Sequence, residues 1–330
     1  MEDDYDVFDK ALVASDFYPP AGYGSASNYG SPSGAEEEDD AAVSVSAPAG
    51  GGEKKRGKGR PKVVKPPKVE EPLKTVRIRE FDINSIPPQS PNEHSGVKIV
   101  VIGKAGTGKS TVISSLLASK AHLAPVIQVF NGTEDSNSMY STKCPPVLVY
   151  DKLDLNAMIQ FKNRQTVAKA NIPDNPWAIQ VIDDCTDDPK LLRHPIFQAY
   201  YKNGRHWHMI HILSLQYALD IMPNIRSNID YTFLMREPIQ KNRKKLFENY
   251  APGCVEHQEE FNELLDAFTE DFGALVICNR TTSNKIEDCI FYYKADPNAI
   301  SPTFRFGHQT CWDFNEERYD PDAQQPLMKP

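Results

Sequence analysis

Residues 103–110 read Gly103-Lys104-Ala105-Gly106-Thr107-Gly108-Lys109-Ser110, with Thr111 next. Two glycines with four residues between them, closed by lysine and serine, are the residue types that holding a triphosphate requires. The glycines let backbone N–H groups curl around an anion, Lys109 reaches the β- and γ-phosphates, and the Ser110 hydroxyl can ligate Mg²⁺. An apolar run at 97–102 precedes the loop, and residues 110–121 alternate apolar and small residues at helical spacing. A helix starting there aims its positive end at the phosphates. A glycine-rich turn that binds nothing would not need this setting. The expected ligands are ATP and Mg²⁺, with residues 103–111 as the binding segment.

Hydrolysis needs an acidic site as well. Residues 177–182 form an apolar run that ends in Asp183-Asp184. A strand there would deliver Asp183 to the sheet edge to hold Mg²⁺ and place Asp184 to polarise the attacking water. Capping of the helix opened by Asp187-Asp188-Pro189 is the plainer role for this pair, and the two are compatible. Residues 209–215 form another apolar run, ending at Gln216, which is placed to sense the γ-phosphate or orient the water. Arg226 follows in Asn224-Ile225-Arg226-Ser227-Asn228. An arginine from a neighbouring subunit would neutralise transition-state charge. A surface ion pair or a DNA contact are the other readings, and Arg205 and Arg236 are the other candidates. By its position after Gln216, the segment is expected at the carboxyl edge of the sheet. His206, His208 and His211 lack a carboxylate or cysteine at ligand spacing and read as strand-edge residues.

These residues need a parallel sheet to bring them together. Apolar, strand-like runs occur at 97–102, 125–130, 147–150, 177–182, 209–215, 230–235, 274–278 and 289–293, and helical periodicity at 155–170. Strands alternating with helices give an α/β, doubly wound, mostly parallel sheet. The folded part is expected to begin near Val97. The division is a disordered tail at 1–75, a P-loop domain at 76–296, and a loose extension at 297–330.

The tail is acidic to Asp16, rich in Gly, Ser, Pro and Tyr at 18–35, and acidic again at 36–40. It is too poor in apolar periodicity to offset the entropy of ordering. Its sign then reverses in Lys54-Lys55-Arg56-Gly57-Lys58-Gly59-Arg60-Pro61-Lys62. Lys58 to Lys62 is similar to an AT-hook core, with lysine in place of the first arginine. A DNA contact by counterion release, a solvated linker and a nuclear-import signal all suit such a run. The 25% of charged residues is near the globular average and does not point to a wholly disordered chain. No stretch approaches the ~18 apolar residues of a membrane span. The acidic start is unlike a signal peptide. None of the six cysteines forms a C-x-x-C pair, which suits a reducing compartment. The expectation is an intracellular, non-secreted protein.

The order of the pieces is specific: a P-loop, Ile182-Asp183-Asp184-Cys185, residues 211–217 with Ser-Leu-Gln-Tyr, and residues 225–231 with Ile-Arg-Ser-Asn-Ile-Asp-Tyr. Residues 286–294, Ile-Glu-Asp-Cys-Ile-Phe-Tyr-Tyr-Lys, come last. Over residues 97–294 this resembles the DNA-packaging ATPases of nucleocytoplasmic large DNA viruses, within the FtsK–HerA class. The resemblance implies an inserted catalytic strand between the P-loop strand and the Asp-Asp strand. It also implies a ring, usually a hexamer, that drives double-stranded DNA into a capsid. Partners would be DNA, other copies of the chain, and capsid or portal-side virion proteins. The host cytoplasm or virus factory, the nucleus, and the virion are the implied places. By position, Lys109 and Ser110 take the phosphate and Mg²⁺ roles, Asp183 the metal, Asp184 the water and Gln216 the sensor. Asp184 stands where many of that class carry glutamate. Another P-loop DNA motor such as a helicase, or a nucleotide-dependent DNA-binding or assembly factor with little turnover, are the competing functions.

Overall fold

Runs of apolar, often β-branched residues form strands here because both faces of the sheet are covered, so no alternation with polar residues is needed. The computed structural model describes residues 78–322, Pro173 and Pro252 excepted. The acidic and basic tail, with its AT-hook-like segment, lies outside the described residues, as do residues 323–330.

Nine strands form one sheet. They are β1 (Arg79–Glu80), β2 (Val97–Ile102), β3 (Val126–Asn131), β4 (Val149–Tyr150), β5 (Ala178–Asp183), β6 (Met209–Leu215), β7 (Tyr231–Leu234), β8 (Gly273–Cys278) and β9 (Ile290–Lys294). Their order is β1-β9-β8-β7-β2-β6-β5-β3-β4. Only β8 runs against its neighbours. Strand β6 lies between β2, which leads into the phosphate loop, and β5, which carries the paired acids. It is parallel to both. This is the inserted strand of the expected α/β, doubly wound fold. In register, Ile102 pairs with Leu215 and Ile182 with Leu213. The three strands therefore end almost level, and Gly103, Asp183 and Gln216 emerge on one edge.

Side-chain alternation divides the core. Val97, Ile99 and Val101 face one layer, with Val112, Ile113, Leu116 and Leu117 of helix α1 (Lys109–Lys120). Each such burial contributes about 1.5–3 kcal/mol before the entropy of ordering. Val100 and Ile102 face the other layer. That layer is built from α2 (Leu155–Asn171), α3 (Pro189–Arg193), α4 (Pro195–Asn203), α5 (Gln240–Tyr250) and α6 (Gln258–Phe268). Asp154 and Asp188 cap α2 and α3, accepting from the amides of Asn156 and Ala157 and of Lys190.

A polar row crosses the second layer. Gln128, Gln180, His211 and Lys98 are consecutive partners in register. Gln180 donates to Gln128 at 2.8 Å, Gln128 donates to the Ala157 carbonyl, and Lys98 Nζ lies 3.3 Å from Asp230. His211 packs among Phe197, Tyr200 and Tyr201, so it belongs to the sheet interior and not to its edge. Burial, reinforced by Lys98, pulls its pKa down to about 3. His208 pairs with His94 at 3.3 Å and packs on Trp177.

Both ends of the folded part differ from expectation. The chain joins the fold upstream of Val97: Phe81 and Ile86 are buried in the α1 layer, and Lys120 donates to the Ile86 and Pro88 carbonyls. Residues beyond 296 are not a loose extension as far as they are described. Phe306 is fully buried, and its amide donates to Lys143 O. The His308 amide donates to Pro125 O, and helix α7 (Gln309–Arg318) buries Cys311 and Phe314. A few aromatic anchors hold this segment without the periodicity that marks an element in sequence. At the margins of the sheet, β1 and β4 are only two residues long.

Candidate active site

The loop after β2 is shaped to present backbone donors. Gly106 and Gly108 have φ of 75° and 98°, a region that glycine enters without steric cost. Gly103 donates to Leu215 O, Thr107 donates twice to Lys104 O, and Thr111 donates to Gly108 O. No acceptor among the described residues takes the amides of Ala105, Gly106, Gly108, Lys109 or Ser110. These free donors at the head of α1 form an anion cradle. Lys109 is buried, with Nζ 3.3 Å from Lys104 O and 3.9 Å from Asp184 Oδ1, while Ser110 is exposed at the helix start.

Asp183 ends β5 and is almost fully buried. The Tyr140 hydroxyl donates to its Oδ2 at 2.9 Å, while Oδ1 and the nearby Ser214 hydroxyl have no well-formed hydrogen bond. Burial raises the carboxyl's pKa; the Ser214 and Tyr140 hydroxyls and Lys109 oppose that, and Asp184 adds to it. A buried carboxylate with an unpartnered oxygen suits a hydrated divalent cation, whose charge would hold it ionised. Tyr140 is itself fixed. Glu134 accepts from Asn131 Nδ2 and from the amides of Tyr140 and Ser141, folding residues 131–141 back over Asp183. Burial, with Asp183 adding to it, pushes the Tyr140 phenol up, so it remains a donor. Tyr140 and Glu134 were not legible in the sequence: Tyr140 lies 43 residues from its partner. Ser214 was more accessible, sharing a strand face with Gln216 by twofold alternation.

Asp184 leaves the strand at φ 47° and is partly exposed. Gln216 Nε2 donates to its Oδ1 at 3.3 Å. The two residues, 32 apart in sequence, thus meet at the mouth of the loop. A methyl group on Gly132 would lie 2.1 Å from the Asp184 carbonyl oxygen, so only glycine lets β3 pass beneath this turn. A carboxylate and an amide that share a hydrogen bond beside a buried lysine can polarise and aim a water.

The Lys104 ammonium turns away to Glu237, 3.2 Å distant. Glu237 is buried and also accepts from the Ile239 amide and Asn242. Lys104 therefore braces the loop against the end of β7 through its side chain, leaving its backbone to the cradle.

Arg226 is not where the sequence placed it. The helical turn Pro223–Arg226 has already turned back toward the start of β7, and Arg226 lines a hollow with Asn249 and Asn279. Asn279 donates to Ile229 O at the amino edge. Arg226 donates to Ile221 O at 2.5 Å and to Asn249 at 2.9 Å. The connection from Gln216 to β7 must cross the sheet, which a count along the sequence does not reveal. Arg205 is also at the amino edge, its carbonyl accepting from Gly96. Arg236 follows β7 at the carboxyl edge, beside Asp266 at 3.3 Å and Glu270 at 3.7 Å.

A strand, a glycine loop, a helix, and paired acids two strands away with one strand inserted between define the P-loop NTPase fold. No family model matches the chain. Uncharacterized protein 088R of Invertebrate iridescent virus 3 is 41% identical over 238 residues, covering 71% of this chain and 90% of that protein. Uncharacterized protein 075L of Invertebrate iridescent virus 6 is 42% identical over 246 residues, covering 74% and 95%. Uncharacterized protein 015R of Frog virus 3 is 32% identical, covering 73% and 76%. The chain belongs to the family that these viral proteins form. Among solved structures, the genome packaging NTPase B204 of Sulfolobus turreted icosahedral virus 2 with AMPPCP aligns over 62% of this chain and 99% of that one. The identity is 16% and the TM-score 0.46. No described helix is long and apolar enough to cross a membrane.

Proposed function

We propose that this chain is an ATPase that hydrolyses ATP to move double-stranded DNA, in the packaging of a viral genome. The observation that carries the ATPase reading is the convergence at one sheet edge of free loop amides, Lys109, Asp183 and the Asp184–Gln216 pair. Within the binding segment 103–111, the free amides of Ala105, Gly106, Gly108, Lys109 and Ser110 bind the phosphates. Lys109, already held by Lys104 O, neutralises the β- and γ-phosphates. Asp183 and Ser110 would hold Mg²⁺, which would supply electrostatic stabilisation of the charge that develops on the phosphates. Asp184 takes the proton side of the attacking water, and Gln216 fixes its direction. The pair is what separates this reading from a nucleotide-dependent binding factor, which has no need to activate water.

The DNA part rests on the motif order over residues 97–294, the basic run at 54–62 and the viral relatives. A ring of copies and a capsid-side partner belong to the same reading. The arginine that would act between copies is Arg236, because it alone of the three candidates stands at the nucleotide edge. The test is ATP turnover by the full chain with and without intact duplex, with particle size measured alongside. Duplex should raise turnover, and Lys109→Ala should abolish it without altering the fold. Wild-type turnover in Lys109→Ala would sink the phosphate site. Unwinding of a forked duplex would favour a helicase, and turnover indifferent to duplex would remove the motor.

A further inference from the structure

Beside the phosphate loop stands an aromatic ring with no packing role. Phe272 is 66% exposed, the most exposed large hydrophobic side chain among the described residues. No aromatic partner is found for it among those residues, whereas nearby Phe268 stacks on Tyr292 at 5.2 Å and 8°. Its backbone is also costly: Asp271 and Phe272 are consecutive non-glycine residues at φ 47° and 63°. Left-handed conformations are unfavourable for bulky residues and persist where the surroundings impose them. Here the surroundings are rigid. The Thr269 amide donates to Leu265 O, and a methyl group on Gly273 would lie 2.3 Å from Phe268 O. This tight turn aims the ring at the head of α1, where a methyl group on Gly108 would lie 3.3 Å from Phe272 Cβ.

We propose that Phe272 is the platform on which the base of the bound nucleotide stacks. The inference rests on the phosphate-site reading above. A triphosphate seated on residues 103–110 sends its ribose and base outward past the start of α1, and Phe272 offers a flat apolar face on that path. A strained, solvent-exposed aromatic contributes little to the fold. Against a planar base the same ring gains stacking contact, which tolerates base identity because every base has a π-face. The platform reads the face of the base and not its edge, so it favours larger purines over pyrimidines and discriminates weakly between purines.

The test compares equilibrium binding of ATP, UTP and inorganic tripolyphosphate to the full chain and its variants. Phe272→Ala should weaken ATP about tenfold and narrow the ATP-to-UTP gap, while tripolyphosphate binds as before. Phe272→Trp should retain ATP affinity. Phe272→Gly should lose affinity like the alanine variant yet match or exceed the wild-type Tm, because glycine relieves the left-handed backbone. Unchanged ATP affinity in Phe272→Ala would overturn the platform alone. Equal loss of ATP and tripolyphosphate would make Phe272 a support for the loop and overturn it too. A change in particle size with nucleotide affinity intact would mean that the ring covers a second copy. If the wild-type chain failed to bind tripolyphosphate, the phosphate site itself would fall, and the platform with it.

Discussion

Asp183 depends on a neighbour that touches no phosphate. The Tyr140 hydroxyl is the hydrogen-bond donor to its Oδ2, and both side chains are buried. Tyr140→Phe removes that donor and leaves a second carboxylate oxygen unsatisfied, at a cost of about 1–3 kcal/mol. The variant should melt earlier and turn over ATP more slowly, with ATP affinity changed less than kcat. A thermal melt together with kcat and KM checks this; equal kcat in the two proteins would reduce Tyr140 to a packing residue. The contrast with Asp184 shows what a sequence makes visible at this scale. Asp184 and Gln216 could be brought to one edge from sequence because each stands at the end of an apolar run, Asp184 one residue beyond Asp183, and parallel strands end together. Tyr140 could not, because its approach depends on the fold of residues 131–141 around Glu134, and no period or motif records that turn.

Among the elements, the buried polar row across β3, β5, β6 and β2 has a consequence for acid stability. His211 is neutral in the fold, its pKa drawn down to about 3, against about 6.5 in an unfolded chain. The groups around it are Lys98, which opposes its protonation, and the rings of Phe197, Tyr200 and Tyr201, with Gln180 its neighbour in register. Below pH 6.5 the unfolded state gains a proton that the folded state refuses. Stability is therefore full above that pH and falls as pH drops toward 3, by up to about 1.4 kcal/mol per pH unit. His211→Leu should flatten this limb in chemical denaturation between pH 6.5 and 4 and cost little at pH 8. An identical pH slope would assign the acid limb to other groups. Strands β2 to β9 were readable because burial makes them largely apolar runs; β1, two exposed charged residues, was not. Helix α5 was not: of its eleven residues only Arg243, Leu246 and Tyr250 are buried, too few to stand out from a charged loop.

For the whole chain, every residue proposed at the phosphate site lies beyond residue 102, so removing residues 1–74 should leave basal ATPase activity unchanged. If the basic run at 54–62 grips DNA, truncation should also reduce the salt slope of DNA binding. An unchanged slope would make that run a linker. Arg236 has a consequence at the same scale. An Arg236→Ala chain should bind ATP and hydrolyse it poorly, then recover some activity when mixed with Lys109→Ala chains. A mixed assembly places an intact loop beside an intact arginine. No recovery on mixing would confine Arg236 to its ion pairs with Asp266 and Glu270, worth ~0–1 kcal/mol at that exposure.

The two-residue margins of the sheet reach further than architecture. Strands β1 and β4 are two residues each, and so short an edge disfavours extension of the sheet by a strand from another copy. Association of copies through the described residues would then rest mainly on side-chain contacts. Such an association can be dismantled by salt or by single surface substitutions while each copy remains folded. Concentrated stocks should therefore disperse on dilution instead of maturing into cross-β fibres.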